Sequence, residues 1–250
     1  MPELPPDPWD ALRRHTPARI ALGRAGTSLP TAELLRFAAA HAMARDAVQV
    51  PLDAAALATQ LRAEGWASHE VQSRAITRDV YLRRPDQGRR LGIESAERLR
   101  AAAAAPADAA IVLGDGLSAV AVQRHALPLL RALRSALGGA LTLAPITIAI
   151  QARVALGDEI GALLGARLVL MLVGERPGLS SPDSLGAYLT HAPRVGCTDA
   201  QRNCVSNIRP GGLAFDAAAQ RIAWLMREAL RRRLTGVALK DDSLTPALPG

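Results

Sequence analysis

Short, largely apolar runs alternate with longer stretches of helical period in the second half of the chain. Residues 109–113, 145–150 and 168–173 are such runs, rich in Val, Ile and Leu. Runs of this length bounded by turn residues predict buried strands. Between them, residues 117–137 and 155–164 carry the spacing of helices. Strand and helix alternating at this period imply parallel strands joined by right-handed crossovers. A last helix is predicted over about 214–234, with Ile222, Leu225, Met226, Ala229 and Leu230 on its buried face.

The first hundred residues follow a different pattern. Residues 1–30 carry several prolines and glycines and are predicted to be extended. Thr31 is placed to cap a helix on which Leu34, Leu35, Ala38 and Ala42 share a face, and Pro51 ends that unit. Asp53 caps a second helix running to about Glu64 and stopped by Gly65. Further helices are expected over 69–82 and 94–104. The expected fold class is therefore α/β, a Rossmann-like parallel sheet preceded by a helical region. Residues 1–105 form the extended and helical N-terminal region, and residues 106–250 the Rossmann-like α/β domain.

Residues 174–213 break the alternation. They are dense in Gly, Pro, Ser, Asn and Arg, hold both cysteines, and predict a long ordered loop leaving the third buried strand. Loops at the ends of buried strands carry most α/β sites, and a loop this long inside a compact domain implies a use.

Composition narrows the function classes. The chain of 250 residues is 49% hydrophobic but only 3% aromatic, so its core is built from Ala, Leu, Val and Ile. The net charge of +7 rests almost wholly on arginine; Lys240 is the single lysine. An acidic partner or anionic ligand is one source of that bias, and an Arg- and Ala-rich coding preference is the other. No recognition helix, zinc finger or aromatic set accompanies the arginines, which argues against nucleic acid as partner. The opening residues do not resemble a signal peptide, and the apolar runs fall short of the ~20 residues that span a bilayer. The expectation is a soluble, cytoplasmic protein with reduced thiols and no membrane partner.

Three places could carry chemistry. Gly114-Asp115-Gly116 with Ser118 forms a strand–turn–helix junction whose amides suit an anion, although it lacks the dinucleotide-binding spacing. The second strand ends near Gln151-Ala152-Arg153-Val154 and the third at Gly174-Glu175-Arg176, so the two ends meet at the usual ligand crevice. Glu175 could accept a hydrogen bond from a ligand amide there, or pair with Arg176 or Arg194. His191, Cys197 and Cys204 lack zinc spacing, and the basic turn from Arg83 to Arg90 reads either as a solvated connector or as a docking surface.

Several motifs together resemble the ethanolamine ammonia-lyase small (light) subunit family. They are Tyr81-Leu82-Arg83-Arg84-Pro85-Asp86-Gln87-Gly88-Arg89, Asp115-Gly116-Leu117-Ser118, Gly174-Glu175-Arg176-Pro177-Gly178-Leu179 and, most strongly, Arg202-Asn203-Cys204-Val205-Ser206-Asn207-Ile208-Arg209. The resemblance runs from about Asp7 to Lys240. It implies a lyase that converts ethanolamine to acetaldehyde and ammonia with adenosylcobalamin (coenzyme B12). The large subunit would carry the substrate site, and the two chains would assemble as a hexamer of heterodimers. The family's cobalamin contacts would fall on Val154, Glu175 and Cys204, with no catalytic residue and no protein metal ligand in this chain. The chain lacks the DxHxxG motif, so the resemblance implies a cofactor that keeps its own benzimidazole on cobalt. Some relatives are packaged in a bacterial microcompartment. The alternative is a stand-alone Rossmann-like enzyme acting on a phosphorylated small molecule through residues 114–118. A third reading is a non-catalytic docking subunit gripping an acidic partner through Arg83–Arg90.

Overall fold

The computed structural model describes residues 9–16, 18–102 and 105–243. The expectations for residues 1–8, for position 17 in the extended segment and for the last two residues of the 94–104 helix lie outside them.

The strands are β1 (Ser68–Gln72), β2 (Ala109–Gly114), β3 (Ile146–Ile150), β4 (Leu168–Gly174), β5 (Leu185–His191) and β6 (Asn203–Ile208). They form one sheet in the order β1-β3-β2-β4-β5-β6. The pairs β1–β3, β3–β2 and β2–β4 are parallel; β4–β5 and β5–β6 are antiparallel. The fold is mixed α/β with a mostly parallel sheet. Strand β1 comes from the first 105 residues and completes the same sheet as the strands that follow.

The helices are α1 (Thr31–Gln49), α2 (Ala54–Ala63), α3 (Arg78–Arg83), α4 (Ile93–Ala102), α5 (Ala119–Leu137), α6 (Leu156–Leu163) and α7 (Phe215–Arg232). Side chains alternate across a strand, so each central strand feeds two cores. Ile111, Leu113, Leu168, Leu170 and Leu172 pack with α2, α5 and α7 on one face. Ala110, Val112, Val169, Met171 and Val173 pack with Leu99 of α4 and with Leu156 and Ile160 of α6 on the other. This two-sided burial is why β2 and β4 read as continuous apolar runs.

Topology places the ligand crevice. From β2 the chain crosses one face through α5 to reach β3. From β3 it crosses the opposite face through α6 and arrives at β4, on the far side of β2. An open sheet leaves its crevice outside the carboxyl ends of the strands where the winding reverses.

Several boundaries hold. The α5 helix is capped by Ser118, whose side chain accepts from the Ala121 amide, and is closed by Gly138 at φ 59°. Asp53 caps α2 by accepting from the Ala56 amide at 2.9 Å. All five predicted core positions of α7 are buried.

Three expectations fail. The helix expected over 69–82 is strand β1 followed by the short α3, because residues 68–72 find a parallel partner in Ile146–Ile150. Pairing overrides a weak local preference. The long loop expected over 174–213 contains β5 and β6, which extend the sheet beyond β4. In α1, Thr31 is the first helical residue after Pro30 and supplies no side-chain cap. That helix buries only Ala47, and its Leu34 and Leu35 are 56% and 64% exposed.

Candidate functional site

A cavity of ≈ 680 Å³ opens at the carboxyl ends of β2, β3 and β4. Gly116 and Leu117 after β2, residues 152–154 after β3, and residues 173–176 at the end of β4 line it. Tyr188 of β5, Asn207 of β6 and Arg209 close the remaining side, with Tyr81 behind. The volume falls in the range of about 300–1,000 Å³ usual for ligand sites.

The turn after β3 is held from below. Asp115, 2% exposed, accepts hydrogen bonds from the Gln151 amide at 2.9 Å and the Ala152 amide at 2.8 Å. Arg78 stands 3.7 Å from the same carboxylate and donates to the Gly116 carbonyl at 2.8 Å. Tyr81 is buried, and the guanidinium carbons of Arg78 and Arg153 lie 4.6 and 4.1 Å from its ring centroid. Burial pushes the Tyr81 hydroxyl up to about 12, with Arg153 opposing. That hydroxyl stays protonated and donates to the Ala152 carbonyl at 3.3 Å.

Gly88 explains the Arg-rich motif in which it sits. Its carbonyl accepts from the Arg153 amide at 2.8 Å, and a Cβ there would meet the Arg153 Cγ at 2.9 Å and the Tyr81 ring at 3.0 Å. The motif is thus a bracket beneath the 151–154 turn. The reading of Arg83–Arg90 as a docking surface loses most of its free charge. Arg83 pairs with Asp79 at 2.5 Å, Arg84 with Asp86 at 2.8 Å and Arg90 with Glu159 at 3.0 Å.

The junction after β2 is packed tightly onto the end of β4. The Leu117 amide donates to the Gly174 carbonyl at 2.9 Å, and a Cβ on either Gly116 or Gly174 would collide with the other segment's backbone. Gly116 holds φ 59°, where a side chain is strained. The expected anion turn at 114–118 has therefore already spent the Leu117 amide, and the α5 start is capped internally. This weakens the reading of a stand-alone enzyme that grips a phosphate there.

Of the three predicted contacts, Val154 and Glu175 line the cavity. Glu175 extends from the end of β4, and its Oε2 accepts from the Asn207 amide at 3.1 Å. Cys204 lies outside the cavity lining, on β6, directly across from Tyr188. Cys204 is exposed at the surface of this chain, and the partial desolvation it meets there pushes its thiol up, with the Tyr188 hydroxyl offsetting part of that rise and the Glu175 charge adding to it. Burial, with the neighbouring Cys204 and Glu175, likewise pushes the Tyr188 hydroxyl well above the usual range. Tyr188 was not singled out from the sequence, and Tyr81, Arg153 and Arg209 were quoted within motifs or strand ends without a role at the site. Only the period-two pattern of β5 could have pointed to Tyr188, and it is interrupted by Gly186.

Among the described residues, no group of three or more His, Cys, Asp or Glu side chains is placed to hold a metal ion. No histidine or cysteine lines the cavity, and Glu175 is its one carboxylate. The cavity offers contacts for a ligand and no nucleophile–base pair.

Fold and site together define a mixed α/β protein with an open crevice at the carboxyl ends of its central strands. Residues 6–240 match the family model for the ethanolamine ammonia-lyase light chain (EutC). The ethanolamine ammonia-lyase small subunit of Azotobacter vinelandii is 59% identical over 248 residues, covering 98% of this chain and 92% of the relative. Those of Ralstonia nicotianae and Xanthomonas campestris are each 56% identical. They cover 97% and 99% of this chain and 91% and 93% of their own lengths. The chain belongs to the ethanolamine ammonia-lyase light-chain family, and the enzyme it serves is ethanolamine ammonia-lyase.

Proposed function

We propose that this chain is the subunit that walls one side of an adenosylcobalamin pocket, while a large subunit supplies the ethanolamine site. The carrying observation is the strand-end cavity, which brings Val154 and Glu175 together at the carboxyl ends of β3 and β4. The donor set fits a corrinoid, whose peripheral amides both donate and accept. Glu175 accepts from an amide N–H, and the backbone around Val154 offers polar groups to another. Tyr188 and Cys204 form the adjoining wall, with Cys204 as a weakly polar contact and not a nucleophile. The cofactor, when bound, supplies radical chemistry through its cobalt–carbon bond. This chain's own part is to bind, orient and exclude water.

The working assembly in this reading is a hexamer of heterodimers in the cytoplasm, enclosed by a microcompartment shell in some relatives. No described helix is long and apolar enough to cross a membrane. The sheet is Rossmann-like in its strand-end ligand crevice, and β5 and β6 supply an antiparallel flank to it.

Ammonia release from ethanolamine tests the division of labour. Turnover is expected only when both subunits and adenosylcobalamin are present. Full turnover by this chain alone would refute the proposal.

A further inference from the structure

Many arginines of this protein pair with carboxylates, and others at the surface do not. Arg84, Arg90, Arg131, Arg167, Arg202 and Arg231 each have a carboxylate oxygen within 3.0 Å. The three that line the cavity, Arg153, Arg176 and Arg209, have none within ion-pair distance among the described residues. Arg153 donates to the Tyr81 carbonyl at 3.0 Å, and its Nε is buried and unpartnered. Arg209 donates only to a neutral group, the Asn207 Oδ1 at 3.0 Å.

The rest of the lining suits the same ligand. Ser180, Ser181 and Ser184 contribute hydroxyls, and Gly174 and Gly178 allow close backbone approach. Among the described residues Glu175 is the only acid lining the cavity, against three arginines, so this wall carries a net positive charge. Arginine's planar fork matches phosphate oxygens in a bidentate way, and it does so best when held in place beforehand. Arg153 is held in this way: Tyr81 stacks on it, Gly88 fixes its backbone amide, and Asp115 fixes the two residues before it.

We propose that Arg153, Arg176 and Arg209 form an anion subsite of this cavity that takes a phosphate ester. Given the cofactor reading above, on which this identification rests, the ester is the phosphodiester of cobalamin's nucleotide tail. A free phosphorylated small molecule presents the same chemistry and is the other source. The subsite orients the tail within the pocket and adds charge-assisted hydrogen bonds that a neutral corrin edge cannot make.

Two corrinoids that differ only in the phosphate separate these cases: adenosylcobinamide phosphate and adenosylcobinamide. Their dissociation constants are measured on the assembled two-subunit enzyme by equilibrium dialysis and corrin absorbance. The wild type is compared with Arg176→Gln, Arg209→Gln and Arg153→Lys. Arg176 is exposed, so its variant is free of folding effects, and Arg153→Lys keeps the charge while losing the fork. Each variant is expected to weaken the phosphate-bearing corrinoid by about tenfold and to leave adenosylcobinamide unchanged. Millimolar inorganic phosphate is expected to compete with the former only. Equal losses for both corrinoids, or none, would overturn the subsite and leave the cofactor pocket standing. A wild-type complex that binds neither corrinoid, yet binds inorganic phosphate in an Arg176- and Arg209-dependent way, supports the subsite and removes the cofactor reading instead.

Discussion

Strand β6 carries an arginine at each end, roughly 20 Å apart at about 3.3 Å per residue, and the two are used in opposite ways. Arg202 is sunk into the protein. It meets Asp158 at 2.6 Å, the Thr190 hydroxyl at 3.1 Å and the Cys197 carbonyl at 2.7 Å, and the side chains of Arg202 and Asp158 are each 2% exposed. Arg209 stands at the cavity with no acid beside it. One contiguous motif therefore supplies a lock between the antiparallel flank and α6 at one end and a ligand-facing cation at the other. Residues within a single motif need not share a role; the register of the strand decides which end meets a partner.

Removing each arginine gives the sharpest contrast. Arg202→Ala leaves the Asp158 carboxylate buried and uncompensated and is expected to cost about 3–5 kcal/mol, read as a lowered urea midpoint with an unchanged m-value. Arg209→Ala is expected to change stability by no more than about 0.5 kcal/mol. Similar losses from both would erase the distinction.

Glu175 offers the next largest effect, on binding and not on folding. A hydrogen bond to a charged group contributes about 1.5–3 kcal/mol, so Glu175→Ala is expected to weaken adenosylcobalamin binding to the assembled enzyme by tenfold or more. The KM for ethanolamine should stay within twofold of wild type. An unchanged cofactor dissociation constant would remove Glu175 from the site.

Cys204 gives the smallest effect and tests whether the cavity's neighbour is a contact or a catalyst. Cys204 is exposed, so access does not limit its alkylation, but its upward-shifted thiol holds less thiolate at pH 8 than a free cysteine; iodoacetamide labelling should be slower than for a free cysteine and should speed up as pH rises. Cys204→Ser should retain most turnover in the assembled enzyme. Fast labelling at pH 7, with abolished turnover in the serine variant, would make it a reactive group.

Legibility in the sequence follows burial. Strands β2, β3 and β4 are covered on both faces, so their apolar runs stand out. Strand β6 buries only Val205 and Ile208, while β5 is mostly buried but its Gly186, Thr190 and His191 interrupt the apolar run that would have marked it. Both look like loop because their pairing, not their composition, makes them strands. Helix α1 shows the reverse case: its apolar spacing is present, but the chain offers its Leu34 and Leu35 no partner.

The site divides along the same line. Val154 and Glu175 were legible because the ends of neighbouring parallel strands must meet. Arg153 was legible at the same strand end but not in its role, because its setting depends on Tyr81 and Gly88 of one segment and Asp115 of another. Cys204 was placed by resemblance at the cofactor, and the structure sets it one residue pair behind the cavity, across from Tyr188.

In the proposed function the strand-end cavity is one wall of the cofactor pocket. A cryo-electron microscopy map of the two-subunit enzyme with adenosylcobalamin tests it most directly. Corrin density is expected against the carboxyl ends of β2, β3 and β4, with Glu175 and the Val154 backbone within hydrogen-bond distance. Corrin density held wholly by the large subunit, with this cavity filled by that subunit's side chains, would contradict it.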